Sequence, residues 1–531
     1  AAAGYFAAGV SAAALKTDGW TTHEWLHFLR HLPSPLAVDR LASLAVIGPN
    51  AAATMVMGGG SAALVAQHET SPLDALVARL GDRLEIRYEP GVVTDRSAQP
   101  LGGRSAVRAD GGRGFDVVYF DSTDWTGPEV GTATFRDGRI LHFDRAPGVS
   151  DLRSFSFRAS TTYTPAVDGD HALTLVQAGR ARLLVDGEVV VDGIERPMPP
   201  GDEFFGMGSA EADALVSMVA GRPVRVEVEW TSAEAAMLSG AKVGVRAPTP
   251  DDLMDRAVAV ATAADAVVLV VGTSLDWETE GRDRESMDLP GDQPELIRRV
   301  CAANGRTVVV VNSGSVVTSD WAEVAPAVLQ IWFGGQEMAD ALVDVLFGDS
   351  EPGGRLPTTV PHRLEDTPAF VNYPGENGSV HYGEGVFVGY RWYTARDVPV
   401  RFPFGHGLGY TTIGWGAARL SEVPSVAALD DGATVTVTVD LTNSGVRAGA
   451  EVVQCYVAPS APALARPPME LRGFAKVFIE PGETVEAVIR LGHRAFAYYD
   501  PADPTWAERS TRQPVAAGGG GSGAGHRPQP G

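Results

Sequence analysis

Apolar residues follow three different spacings along this chain, and each spacing marks a different stretch. Residues 266–347 open with the uninterrupted apolar run Ala266-Val-Val-Leu-Val-Val-Gly272, the pattern of a parallel strand covered on both faces. An acidic loop, 274–290, follows at the strand's carboxyl end, where an open α/β sheet collects its chemistry. Asp292 as N-cap, Pro294 in the first turn and Leu296, Ile297 and Val300 on one face predict a helix, which Asn304-Gly305 ends. Strands at 307–311 and 328–332 follow. A helix at 336–347, with Met338, Leu342, Val345 and Leu346 inward, completes a β-loop-α-β-β-α unit.

The same texture appears earlier. Leu44-Ala-Val-Ile-Gly48 reads as a strand and Pro49-Asn50 as a turn. A capped helix starts at Ser71, and a strand is expected at 84–88. Gly58-Gly-Gly-Ser61 lacks the lysine of a phosphate-binding loop and reads as a tight turn or a substrate-side loop.

Between 111 and 246 the period shortens to two, with strands expected at 115–120, 154–157, 171–176, 181–185, 188–191 and 224–230. Asp186-Gly187 predicts a hairpin turn between two of them. A β-sandwich inserted into the α/β domain explains this change. From 411 a last β domain begins: 433–441 alternates cleanly, Asn443-Ser-Gly445 turns, and 451–457 is expected to pair back on it. No final strand is recognisable after Trp506, and the low-complexity tail from Ala516 is expected to be disordered. The fold class is therefore α/β plus all-β. Its parts are an atypical N-terminal segment (1–40), the α/β sandwich in two pieces (41–110 and 247–410), the insert (111–246), the last β domain (411–510) and the tail (511–531).

A chain of 531 residues suggests roughly three domains, and 44% hydrophobic residues suffice for several cores. The formal net charge of −23 argues against nucleic acid or an anionic membrane surface as partner and is compatible with a neutral or cationic substrate. Cys301 and Cys455 fall in different expected domains, so no disulfide framework is expected. No run approaches 18 apolar residues, the length of a membrane span. Residues 1–15 lack a basic start and read as helix rather than secretion signal, which leans towards a cytoplasmic location. His23, His27 and His31 are spaced i, i+4, i+8 on an expected helix, weak grounds on their own for a metal site. No cofactor or metal is expected, and self-association into a homo-oligomer is compatible with the sequence.

Six ordered landmarks carry a resemblance to glycoside hydrolase family 3, in the sandwich domain that follows its barrel. They are Glu280-Gly-Arg-Asp-Arg284, Leu289-Pro290, Val309-Val-Val-Asn-Ser-Gly314, Trp332-Phe-Gly-Gly-Gln-Glu337, Gly348-Asp-Ser-Glu-Pro-Gly-Gly-Arg-Leu-Pro357 and Phe404-Gly-His-Gly-Leu-Gly-Tyr410. The resemblance implies a β-glucosidase-like enzyme that removes terminal β-D-glycosyl residues. It also implies that 111–246, with Gly179-Arg-Ala-Arg-Leu-Leu-Val-Asp-Gly187 and Val191-Asp192, is a protective-antigen-14-type insert bordering the leaving-group subsite, and that the last domain is fibronectin-type-III-like.

Retaining hydrolysis needs two carboxyl groups about 5–5.5 Å apart, one as nucleophile and one as acid and then base. In the family the barrel carries the nucleophilic Asp and the sandwich loop the acid/base Glu, which falls on Glu280. Asp276, Glu278 and Asp283 are expected to raise its pKa, and Asp283 with Arg284 to fix the loop as an ion pair. Tyr382 lies in His381-Tyr-Gly-Glu-Gly-Val-Phe-Val-Gly-Tyr-Arg391, similar to a stretch that approaches the sugar pocket, and becomes a candidate substrate contact.

Ser319-Asp-Trp321 looks like the family's nucleophile motif but sits inside the sandwich domain, so Asp320 is not assigned that role. The barrel and its nucleophile are not found in these residues, and the isolated chain is expected not to turn over. The alternative reading is a non-catalytic carbohydrate-binding protein built from sandwich modules.

Overall fold

The computed structural model describes residues 27–30, 35–53, 55–59, 66–103, 105–235, 237–279, 283–459, 462, 464–502, 505–507 and 515–518. Glu280, His23, His31, the segment 1–15 expected to be helical and the tail beyond 518 lie outside the described residues. The chain divides into two compact units: Asp95–Asp251 with Thr279–Asp283, and the remainder.

The larger unit is built on a six-stranded sheet. Its elements are β1 (His27–Arg30), β2 (Ser43–Ile47), α1 (Pro72–Leu80), β3 (Glu85–Glu89), α2 (Leu253–Ala263), β4 (Ala266–Gly272), α3 (Gln293–Ala303), β5 (Thr307–Asn312), β6 (Ala327–Gln330) and α4 (Met338–Phe347). The strand order is β1-β6-β5-β4-β2-β3, parallel throughout except at β1. Every residue of β4, β5 and β6 is buried, as their unbroken apolar runs predict for strands covered on both faces.

On one face α1 and α4 share a core with Leu44, Val46, Val268, Val270 and Val310. On the other, α2 and α3 pack against Ala45, Ile47, Val267, Leu269 and Val309. Alternate residues of one strand thus feed opposite cores, as the period-two geometry of a strand requires. Ser71 caps α1, its Oγ accepting from the Asp74 N–H at 3.1 Å.

Four expectations are corrected in this unit. The helix expected around His23, His27 and His31 is overturned at His27–Arg30, whose backbone is a strand antiparallel to β6; it pairs the backbone edge that β6 would otherwise leave open. Strand 328–332 ends early, at Gln330, because Trp332 adopts φ 54° and turns the chain out of the sheet. The last β domain departs from the expected pairing as well.

In that domain the labelled strands are β7 (Val435–Asn443), β8 (Gly449–Val457), β9 (Glu470–Ile479), β10 (Thr484–Leu491) and β11 (Val515–Gly518). β7 pairs with β10, and β8 pairs with β9 and β11, so β7 and β8 belong to different sheets instead of forming a hairpin. The buried Asn443 makes the corner. Its Nδ2 donates to Arg447 O at 2.7 Å and Ile479 O at 2.9 Å, and its Oδ1 accepts from Thr411 Oγ1 at 2.6 Å. The final strand judged missing from the sequence is β11, within the stretch read as a disordered tail. Ala and Gly carry little strand propensity, and the open edge of β8 supplies the pairing.

The smaller unit holds two antiparallel sheets, of five and seven strands, around one core that includes Phe115, Tyr119, Phe157, Leu175, Val243 and Trp230. Arg180–Val185 and Glu188–Asp192 form the hairpin expected at Asp186-Gly187, with both turn residues at positive φ. Strands Glu129–Phe135, Arg139–His142, Ala212–Met218 and Ser239–Arg246 were not foreseen. The last carries Gly240, Gly244 and a buried Lys242 that pairs with Glu203 at 2.7 Å, which breaks the alternating signature.

Candidate functional site

Strand order reverses at the β4–β2 boundary: β3 lies outside β2, while β5 and β6 follow on the far side of β4. The crevice at such a switch point, beyond the carboxyl ends of the strands, is where open α/β sheets bind and react with ligands. The loop bearing Glu280 leaves from β4 at this point.

Side-chain amides hold the strand ends together. Fully buried Gln293, at the start of α3, accepts from the Gly272 N–H at 2.8 Å. Its Nε2 donates to Gly272 O at 2.8 Å and to Pro290 O at 2.9 Å. One side chain therefore closes the base of the loop, binding the last residue of β4 to Pro290 at the loop's end. Buried Asn50 donates to Thr273 O at 2.9 Å and to Asn312 Oδ1 at 3.1 Å. Asn312 in turn donates to Met55 O at 3.0 Å and Trp332 O at 2.6 Å. These two asparagines join the loops that follow β2, β4, β5 and β6. Each bond satisfies a buried polar group, so losing a partner costs more than the bond itself is worth.

Glu278, two residues before Glu280, is the centre of the loop's own bracing. Its Oε1 accepts from Thr273 Oγ1 at 2.9 Å, from the Gly314 and Ser315 N–H groups at 3.1 Å each, and from Ser315 Oγ at 3.0 Å. Its backbone oxygen accepts from the Gly59 N–H at 2.9 Å, which gives the Gly58-Gly59 turn a defined task. Arg284 lies 3.6 Å from the same Oε1 and donates to Ser315 Oγ at 2.9 Å and Asp288 O at 3.1 Å. Burial pulls the Arg284 guanidinium below its usual range, opposed by the charges of Glu278 and Asp288. Trp277 Nε1 donates to Thr94 O at 2.8 Å, and Thr318 bonds Asp288 and Met287. Both flanks of 280–282 are therefore fixed to the sheet.

Sequence reading treated Glu278 only as a charge beside Glu280. Its partners Gly314 and Ser315 lie 36 and 37 residues away, and no local pattern reveals them. Asn50 and Gln293 were missed for the same reason. Of the other sequence candidates, Tyr382 is exposed and belongs to a separate loop, 369–388, braced by a 2.7 Å bond from Asn372 Nδ2 to Glu384 Oε2. Asp320 opens a 3₁₀ turn, and its carboxylate is exposed and 2.7 Å from Arg298. Among the described residues no three His, Cys, Asp or Glu side chains gather as a metal site, and no helix is long and apolar enough to cross a membrane.

A doubly wound sheet with an acidic loop at its switch point, followed by a two-sheet β domain, defines the class to which relatives can be matched. Residues 34–410 match the glycosyl hydrolase family 3 C-terminal domain, and residues 451–518 match a fibronectin type III-like domain. The chain belongs to glycosyl hydrolase family 3. It is 42% identical over 474 residues to a β-glucosidase of Rhizobium radiobacter, covering 88% of this chain and 56% of that protein. It is 38% identical over 502 residues to a probable β-glucosidase I of Aspergillus clavatus, covering 91% and 59%. The crystal structure of Kluyveromyces marxianus β-glucosidase in complex with glucose superposes with a TM-score of 0.83 at 32% identity, covering 93% of this chain and 59% of that one. The chain thus spans rather more than half the length of the relatives it matches.

Proposed function

We propose that these residues carry the acid/base half of a retaining β-glucosidase, with Glu280 as the proton donor and acceptor. The nucleophilic carboxylate then belongs to a barrel that the 531 residues do not include. The observation that carries this reading is the bracing of the Glu280 loop. Glu278 and Arg284, on either side of 280–282, share Ser315, and Gln293 closes the loop at its base. A general acid must be held within hydrogen-bond reach of the oxygen it protonates, and a loop anchored on both flanks meets that need. The β-glucosidase names of the relatives support the same reading.

In the first step Glu280 gives its proton to the glycosidic oxygen as the bond from that oxygen to the anomeric carbon breaks and the nucleophile's oxygen bonds to the carbon. In the second step Glu280, now a carboxylate, takes a proton from water whose oxygen attacks the anomeric carbon and releases the nucleophile. Two configurational inversions give net retention. Within this reading, 111–246 is a protective-antigen-14-type insert at the leaving-group side and Tyr382 is a sugar contact.

The isolated chain, incubated with an aryl β-glucoside, is expected to give no turnover; turnover above that of a Glu280→Ala control overturns the split assignment. In a fusion with the portion of the Rhizobium radiobacter relative that this chain does not cover, Glu280→Ala should lower kcat/KM on poor leaving groups by about 10²–10⁴-fold. Activated aryl glycosides should suffer less in the first step, and azide should restore turnover as glycosyl azide. Equal losses on both substrates without rescue return Glu280 to a structural role.

A further inference from the structure

The smaller unit holds a cavity of about 460 Å³, lined by Tyr119, Ala133, Phe135, His142, Arg145 and Pro147 among others. Small-molecule pockets run to roughly 300–1,000 Å³, so this one has the size of a binding site. Tyr119 and Phe135 come from two strands of the seven-stranded sheet, Phe115–Phe120 and the edge strand Glu129–Phe135, and His142 ends the strand Arg139–His142 of the five-stranded sheet. The segment 145–147 supplies the remaining wall.

These walls are fixed by packing within the unit. A Cβ on Gly131 would lie 2.1 Å from Pro147 O, so the backbone at 147 sits directly on the edge strand. Just beyond it the Ser150 N–H donates to Asp121 Oδ1 at 2.9 Å. The His142 ring stands edge-on to Tyr119, with centroids 5.3 Å apart at 75°, and to Phe135, 5.8 Å apart at 88°. The Tyr119 hydroxyl and His142 Nε2 are hydrogen-bonded at 3.3 Å. A pocket formed in advance spares a ligand the cost of ordering it.

The lining selects the chemistry of the occupant. Burial pulls the His142 imidazole down to about 4 and pushes the Tyr119 hydroxyl up, so both rings are uncharged at neutral pH, and their polar atoms face each other. What remains is largely aromatic carbon, which suits a flat aromatic body and offers few partners to the hydroxyls of a sugar, each of which loses free energy if buried unpaired. Arg145 is the exception. It is exposed and makes no ion pair or side-chain hydrogen bond among the described residues, in a chain of net charge −23. Its planar guanidinium can take a carboxylate on two parallel N–H bonds.

We infer that this cavity binds a small aromatic carboxylate, its ring against Tyr119, Phe135 and His142 and its anionic group on Arg145. Every residue involved belongs to the smaller unit. The inference therefore stands whether or not Glu280 is the acid/base, and it is tested without turnover.

Titration calorimetry of the 531-residue chain at pH 7 with trans-cinnamate, cinnamamide, acetate and glucose decides it. Cinnamate should bind saturably, in the millimolar range or tighter. Cinnamamide, with the same body and no charge, should bind about tenfold more weakly, and acetate, with the charge and no ring, should show no saturable binding. Arg145→Gln, a change at an exposed position, should bring cinnamate to the level of cinnamamide and leave cinnamamide where it was. Ala133→Phe, which fills the cavity, should abolish binding of both. No saturable binding of cinnamate overturns the proposal. So does cinnamate affinity that neither variant alters, which places the ligand elsewhere on the chain. Glucose displacing cinnamate overturns the assignment of an aromatic acid and makes the cavity a sugar site.

Discussion

Glu278 Oε1 lies 3.6 Å from the Arg284 guanidinium, so the residues on either side of 280–282 face each other across the loop that carries the candidate acid. Both side chains are largely buried, and Ser315 bonds each of them. Removing one member leaves the other charged and without its counterion in a poorly solvated place. Glu278→Ala should therefore destabilise the chain by about 3 kcal/mol, seen as a lower urea midpoint at unchanged slope. In the fused enzyme the same change should lower kcat more than it raises KM, since it loosens Glu280 without touching the sugar's binding groups. Wild-type stability in Glu278→Ala would show that the bracing belongs to the backbone alone.

Asp320 gives the opposite expectation. Its carboxylate meets Arg298 on the surface, where both side chains are exposed, and such pairs are worth about 0–1 kcal/mol. Asp320→Asn should leave stability within that range and the chemical step of a fused enzyme nearly intact. A loss of several orders of magnitude in kcat with the fold preserved would mean that the nucleophile has been misplaced.

Much of the sheet was legible because burial on both faces writes itself into the chain as unbroken apolar runs, as in β4 and β5. At the candidate site the chain offers only Glu280, named from the resemblance and lying outside the described residues. The residues that brace it, Glu278, Asn50 and Gln293, are polar side chains that each reach a partner tens to hundreds of residues away, and polarity alone does not distinguish a clamp from a solvated surface. Asn443 misled for a related reason: Asn-Ser-Gly is turn chemistry wherever it occurs, but here the buried amide turns the chain from one sheet into the other. β11 was invisible because strand pairing at an open edge is backbone chemistry and asks little of Ala and Gly side chains.

Two glycines separate backbone strain from steric exclusion. Gly187 sits at φ +85° in the hairpin turn with nothing within 4 Å of an added Cβ, so Gly187→Ala should cost only the left-handed conformation, about 1–2 kcal/mol. Gly48, at φ +111° where β2 ends, would place a Cβ 2.0 Å from Val270 O in the backbone of β4. Gly48→Ala should cost several times as much and disturb the switch point itself, where Asn50 reaches Thr273. Thermal unfolding of the two variants decides this; similar losses would show that the β2–β4 seam yields easily.

Glu351 makes stability depend on pH. Its Oε1 accepts from the Tyr410 N–H at 2.8 Å, while its Oε2 is buried without a hydrogen-bond partner. Burial pushes the carboxyl up to about 6 from an ordinary 4.5, against the opposing pull of the Tyr410 N–H and of Arg447 and Arg355. A carboxyl with a folded pKa above its unfolded one binds its proton more tightly in the native state. Its contribution is then fully present below about pH 4.5 and is lost as pH rises through about 6. The gap between those values corresponds to about 2 kcal/mol. Glu351→Gln is neutral at every pH, so the stability of this variant relative to the parent should shift in its favour by about 2 kcal/mol between pH 4.5 and 7.5. Urea unfolding of both proteins at each pH measures that difference. A difference independent of pH would mean that Arg447 and Arg355 keep Glu351 ionised throughout, and that its buried oxygen is held by charge instead of by a proton.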